Sequence, residues 1–300
     1  QPFLDAFTAE TGVETNVVYA SKGLAQRLQA EGEASPADVI LTVDIARLSE
    51  YADLDLLAAV ESPVLSANIP ANLRAGDNRW FAFSTRARLV AVSKDRVPEG
   101  AISNIEDLAD PKWQGTICSR KGSHVYNRSL LASVVAANGA DAAEAWAEGL
   151  VANFARKPQG NDRAQAKAIF EGQCDVAIMN HYYYGKMLFG DKDEQRDWAN
   201  AIRLVFTNQD GRGNHVNISG GGVAKHSPHR DDAVRFLEFL TSPTAQQLYG
   251  EVNFEYPTNP AVSPGGVLSS WGTFKSDDLA IERLAELAPL AQMIIDRSGW

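Results

Sequence analysis

Asn180-His181-Tyr182-Tyr183-Tyr184-Gly185 sets three of the chain's eight tyrosines side by side, directly after the apolar run Asp175 to Met179. Three consecutive side chains cannot all face one core, so aromatic packing, the competing explanation for such a triplet, does not cover all of them. A phenol oxygen is a hard donor. Its ordinary pKa is near 10, so a cation that binds the phenolate must first expel a proton. A trivalent ion favours that exchange. Softer metals prefer cysteine or histidine, and Mg2+ or Ca2+ prefers carboxylates and water. Adjacent phenols therefore point to Fe3+. His181 adjoins them as an auxiliary ligand candidate, with a solvent-facing or supporting role as its alternative.

Two further groups could join this chemistry. Tyr126 stands in Ser123-His124-Val125-Tyr126-Asn127-Arg128-Ser129-Leu130, where a helix opens after a strand and a loop. Helix N-termini present free N–H groups that stabilise a phenolate or a small anion; packing or capping is the other use of a tyrosine there. Arg86 and Arg88 lie two apart in a long strand-like run, residues 79–94, which places both on one strand face. A guanidinium binds small oxyanions bidentately. The pair is expected either to hold an anion such as carbonate and offset phenolate charge, or to form ordinary salt bridges.

These residues must be positioned by the elements around them. The pattern predicts a helix to about Glu10, a strand over Glu14 to Tyr19 and a helix over Leu24 to Glu31. A buried parallel strand over Ala37 to Thr42 and a helix from Ile45 follow. After the 79–94 run come a strand at Thr116 to Ser119 and helices over Tyr126 to Ala137, Asp141 to Asn153 and Ala164 to Glu171. The strand Asp175 to Asn180 then leads to strands at Arg203 to Phe206 and Val216 to Ala224. Helices near 232–240, 243–249 and 278–295 close the chain. Strands alternating with helices define an α/β class with a largely parallel sheet, whose ligands bind at the carboxyl ends of strands.

At 300 residues the chain is long for one core and suits two lobes. Its net charge of −10 carries no basic stripe, which argues against nucleic acid. No apolar run approaches the roughly 20 residues of a membrane span. Cys118 and Cys174 fit no zinc spacing; their separation leaves two buried thiols and one disulfide equally open. Ser219-Gly220-Gly221-Gly222 lacks the GK[ST] of a phosphate loop and reads as a place of close backbone approach. The remaining histidines, His215, His226 and His229 among them, form no HxH or HxxxH pair, and no nucleophile–base motif appears. The sequence opens at or just before the first helix and shows no signal peptide, which is expected either to have been removed or to lie outside this sequence.

Together, Ser35-Pro36-Ala37-Asp38-Val39, Thr85-Arg86-Ala87-Arg88, Tyr126-Asn127-Arg128-Ser129-Leu130, Ala155-Arg156-Lys157-Pro158-Gln159-Gly160, Asn180 to Met187, Asn217-Ile218-Ser219-Gly220, Glu255-Tyr256-Pro257 and Trp271 to Ser276 make the chain resemble the bacterial periplasmic ferric-iron-binding proteins. The resemblance implies a two-lobed type II periplasmic-binding-protein fold with a cleft between the lobes, and a monomer without transmembrane segment. It implies an ABC permease in the inner membrane as partner. Residues 1–84 with about 207–265 are expected to form one lobe. About 85–206 with 266–300 are expected to form the other, which carries most iron ligands. The resemblance implies Tyr126, Tyr182 and Tyr183 as ligands, Tyr184 as a structural or auxiliary neighbour, Arg86 and Arg88 as partners of a carbonate or bicarbonate, and a Cys118–Cys174 disulfide. Some members add a histidine or another ligand after the first strand; here Gln1 aligns with the first helix, and whether such a further ligand exists is left open. The rival reading is a receptor of the same fold for a polyamine, thiamine or phosphonate; an enzyme is disfavoured.

Overall fold

The computed structural model describes residues 1–20 and 23–300. Among these, the eight strands are β1 Val39–Val43, β2 Leu57–Ala58, β3 Phe81–Ser93, β4 Ile117–Cys118, β5 Val176–Asn180, β6 Ile202–Val205, β7 Val216–Ala224 and β8 Tyr256–Pro257. The chain divides into two compact units, Gln1–Thr85 with Ile218–Ser270, and Arg86–Asn217 with Trp271–Trp300. Residues 207–217 and 266–270 thus group differently from the lobes expected above. Two of the three boundaries fall inside β3 and inside β7, where a continuous strand carries the chain from unit to unit, and the third follows the helix Gly266–Ser270.

In the first unit β1 and β2 pair antiparallel with β7, and β8 pairs antiparallel with β3. Phe7, Phe81, Phe83, Phe236, Leu237 and Phe239 share one buried cluster. Each such side chain contributes about 1.5–3 kcal/mol by leaving water. The glycine run serves the close approach expected of it. A Cβ on Gly221 would lie 2.1 Å from the Ile40 carbonyl oxygen, and one on Gly222 would lie 2.3 Å from that of Arg79. Two expectations fail in this unit. Residues 14–19 form no strand; apolar alternation supplies side chains but not a neighbour for the backbone, and Val18 and Tyr19 stay exposed. The run at 37–42 forms β1, but antiparallel, with Leu41 exposed.

In the second unit β3 pairs antiparallel with β5 and with β6, and β4 pairs parallel with β5. The α/β class holds, while the sheet is mixed and mainly antiparallel, not largely parallel. Long strands that carry the chain between units reverse the local direction, which helix–strand alternation does not reveal. Every residue of β5 is buried, which accounts for the apolar sequence from Val176 to Met179 that precedes Asn180. The last expected helix is two: Glu282–Glu286 and Ala288–Ser298. Pro289, near the start of the second, lacks the N–H that a continuous helix needs there.

Cys118 and Cys174 are disulfide-bonded, with Cα atoms 5.9 Å apart, beside the paired ends of β4 and β5. His215 lies buried in the same unit, and its ionisation is pushed down to about 3 by burial and then by Arg88, Arg212 and Arg86. The unfolded chain takes up this proton near pH 6.5 and the folded chain only near 3. The stability from keeping His215 neutral is therefore complete above 6.5 and is lost as pH falls towards 3. Denaturant unfolding across that window is expected to show a steeper acid decline in the wild type than in His215→Asn; parallel curves would contradict it.

Candidate metal centre

β4 and β5 run side by side in the same direction, and each leads at its carboxyl end into a helix that carries tyrosine. After β4 a short loop reaches His124, whose imidazole accepts a hydrogen bond from the Tyr126 N–H at 3.2 Å and caps the helix Val125–Asn138. After β5 the helix His181–Leu188 starts at once. Tyr126, Tyr182 and Tyr183 therefore all stand in first helical turns, where unpaired N–H groups favour negative charge. The Tyr182 hydroxyl donates to the Tyr126 oxygen at 3.2 Å, and the Tyr182 and Tyr183 ring centroids lie 4.4 Å apart. Two tyrosines 56 positions apart in sequence thus present their oxygens within hydrogen-bond distance.

Cations surround these rings. The guanidinium carbons of Arg86, Arg88 and Arg120 lie 5.3, 5.9 and 5.3 Å from the Tyr126 ring centroid. The Lys186 Nζ lies 5.3 Å from the Tyr182 centroid, and the Arg163 guanidinium carbon 5.0 Å from that of Tyr183. Burial raises the Tyr182 and Tyr183 phenols well above the ordinary tyrosine range, and the neighbouring phenols push Tyr182 further. Arg86 beside Tyr182 and Arg120 beside Tyr183 oppose the rise. Tyr182 and Tyr183 thus hold their protons, in a setting whose cations would compensate phenolates.

The two strand arginines share a face, as their period-two spacing requires. Arg88 is fully engaged by protein. Its Nε donates to the Asn127 Oδ1 at 2.9 Å, and one terminal nitrogen reaches Asp162 at 3.1 Å and Asn180 at 2.8 Å. Arg86 is equally buried beside Tyr126. His181 turns its Nδ1 to the backbone N–H of Ala87 at 3.0 Å and packs edge-on to Trp271. Tyr184 packs on the same indole, at 5.4 Å between centroids, and forms no hydrogen bond with the other phenols. Among the described residues no group of three or more histidine, cysteine or carboxylate side chains is arranged to hold a metal ion.

Asp162 escaped the sequence reading. Asn161 caps the helix Asp162–Phe170 through a bond to the Ala164 N–H at 3.1 Å, and Asp162 points inward, wholly buried. It pairs with Arg120 at 3.0 Å and Arg88 at 3.1 Å and accepts from the Asn180 N–H at 2.8 Å. In sequence it reads as an ordinary charge in a first helical turn. Nothing local tells that two arginines converge on it. Arg120 and Arg163 were missed for the same reason.

A pair of α/β units threaded by shared strands, with ligand-type side chains at strand exits, defines a bacterial solute receptor. The chain belongs to the bacterial extracellular solute-binding protein family, whose pattern matches residues 1–247. It is 43% identical over 295 residues to iron uptake protein A1 of Synechocystis, covering 98% of this chain and 82% of that protein. Its structure superposes on the Trichodesmium protein IdiA (FutA), solved in complex with iron and citrate, with a TM-score of 0.95 and 43% identity over 99% of this chain and 94% of the other. It superposes on ferric iron-binding protein A of Mannheimia haemolytica, in an open conformation, with a TM-score of 0.93 and 45% identity over 99% of this chain and 94% of the other. The resemblance drawn from scattered motifs holds along the length of the chain. No helix among the described residues is long and apolar enough to cross a membrane.

Proposed function

We propose that this protein binds Fe3+ through the phenolates of Tyr126, Tyr182 and Tyr183 and delivers it in the periplasm to the permease of an ABC importer. The observation that carries the reading is the convergence of the Tyr126 and Tyr182 oxygens at 3.2 Å from two helix N-termini. Three phenolates formally balance the ion's charge. A small oxyanion such as carbonate completes the shell, and the surrounding guanidiniums offset the excess negative charge. The protein acts as a carrier, not an enzyme: the phenols hold cargo, and no group is placed to transform it. The relatives named for ferric iron and iron uptake support the cargo.

Five cationic side chains around the tyrosines disfavour a polyamine or thiamine, because the nearest buried carboxylate, Asp162, is already shared by two arginines. The same array is compatible with an anionic solute such as a phosphonate, which is the second reading. Colour separates the two. Titration of metal-free protein with a ferric chelate is expected to raise a visible phenolate-to-iron band that saturates at one iron per chain. Absence of a band, with a phosphonate bound instead, would select the second reading.

Binding must also depend on pH. Tyr182 and Tyr183 are both raised by burial and hold their protons until the metal displaces them. Each proton released costs affinity as protons become abundant, so apparent affinity is expected to fall by about two log units or more per unit decrease in pH. Equilibrium competition with a chelator of known pH dependence measures the slope; a flat profile would argue against tyrosine ligation.

A further inference from the structure

The loop between β4 and the helix Val125–Asn138 brings Tyr126 to its place, and its hold comes from far along the chain. Trp300 is 7% exposed and fixes that loop at two points. Its indole Nε1 donates to the Ser119 Oγ at 3.0 Å, across 181 positions of sequence. Its backbone oxygen accepts from the Gly122 N–H at 3.2 Å. The approach is so close that a Cβ on Gly122 would lie 2.6 Å from the Trp300 Cγ. Trp300 is itself held. It follows Gly299, whose left-handed φ of 78° ends the helix Ala288–Ser298, and its ring meets that of Trp146 edge-on at 5.8 Å. The helix Ala288–Ser298 packs in turn against Val125–Asn138.

From Ser119 a chain of hydrogen bonds runs through the interior to the phenols. The Ser119 Oγ also accepts from the Asn127 Nδ2 at 3.3 Å. The Asn127 Oδ1 accepts from the Arg88 Nε at 2.9 Å, and Arg88 donates to the Asn180 Oδ1 at 2.8 Å. The Asn180 Nδ2 then donates to the Tyr182 oxygen at 3.4 Å. Asn127 directly follows Tyr126 in sequence. Ser119, Asn127, Arg88 and Asn180 are each no more than 2% exposed, so solvent is not at hand to replace a lost bond. In a close-packed interior a displacement at one end of such a chain is passed along it.

We propose that Trp300 is a positioning residue of the metal centre, setting the loop that aims Tyr126 at Tyr182; this rests on the tyrosine–Fe3+ reading above. It acts through Ser119 and Asn127, not by contact with the metal. Without the indole donor the Ser119 hydroxyl can rotate, and Asn127 loses a fixed acceptor. The spacing of the Tyr126 and Tyr182 oxygens is then no longer set. A ligand set must be held to within about 0.5 Å, so it loses affinity before the fold is lost.

The test compares Trp300→Phe with Trp146→Phe. Each keeps an aromatic ring and deletes one buried indole donor; Trp146 gives its own to the Ile105 carbonyl at 3.0 Å, outside the 119–124 loop. Both are expected to lower the denaturant midpoint. Only Trp300→Phe is expected to weaken ferric binding in competition with a chelator, by about tenfold, the low end for supporting partners of metal ligands. It should also shift the maximum of the visible phenolate band. Ser119→Ala removes the acceptor of the same bond and should reproduce both effects. Adding Trp300→Phe to it should cost no further affinity, because the bond is already gone. Wild-type affinity and band in Trp300→Phe overturn the proposal. Where that variant folds poorly, Ser119→Ala decides, and wild-type affinity and band there overturn it as well. An equal loss in Trp146→Phe also overturns it, since that marks a general loosening of the unit. A wild type that develops no band removes the tyrosine reading, and this proposal with it.

Discussion

Tyr182→Phe is expected to abolish tight iron binding while leaving the fold intact. The substitution deletes one oxygen from a ring that is already 93% withdrawn from water, since Tyr182 is 7% exposed, and leaves its packing against Tyr183 unchanged. The hydroxyl's partners are the Tyr126 oxygen at 3.2 Å and the Asn180 amide at 3.4 Å, so little stability is at stake. On the proposed ligation the loss for the metal is large: one of three anionic ligands would disappear, and the ion would keep a net charge among five cationic side chains. Removing a mere supporting partner of a metal ligand costs about 10–100-fold in affinity, so removing the ligand itself should exceed that range. Competition against a ferric chelator measures the loss, and the visible band should weaken and shift in the same sample. Wild-type affinity with an unchanged band would exclude Tyr182 from the metal. Tyr184→Phe is the internal comparison. Its ring packs on Trp271, and its loss of a hydroxyl should leave the band in place.

The second large effect concerns stability. Asp162→Ala is expected to destabilise the second unit by about 3–5 kcal/mol, the usual cost of removing one partner from a buried ion pair. Asp162 is wholly buried, and its two oxygens serve Arg120, Arg88 and the Asn180 N–H. Without it two guanidiniums face each other around Tyr126 with no carboxylate between them. A native domain has only about 5–15 kcal/mol in reserve, so the loss should show as a clear drop in denaturant midpoint. Asp162→Asn keeps the shape and one acceptor and should cost less. Equal stability of Asp162→Ala and wild type would mean that water replaces the carboxylate at no cost, and that Arg88 is held by Asn127 and Asn180 alone.

These two effects differ in how far the sequence foretold them. Tyr182 stood out because packing into one core does not account for all of three adjacent tyrosines after an apolar strand. Asp162 did not, because a charged residue in a first helical turn is usually a solvated one.

The sequence by itself determined the local elements and the chemistry of the donors. Apolar periodicity located β3, β5, β7 and most helices to within a few residues, because each buries one face whatever its neighbours are. Residue type pointed to hard oxygen donors that must lose their protons to bind a metal. Tertiary structure alone decided direction, pairing and partners. Strand polarity depends on how the chain returns, so the sheet proved mixed, and residues 14–19 formed no strand for want of a paired neighbour. The partners of Arg88 and Arg120 come from positions 39 to 92 residues away. A charge chooses its counter-charge by proximity in space, and the one-dimensional pattern carries no record of that distance.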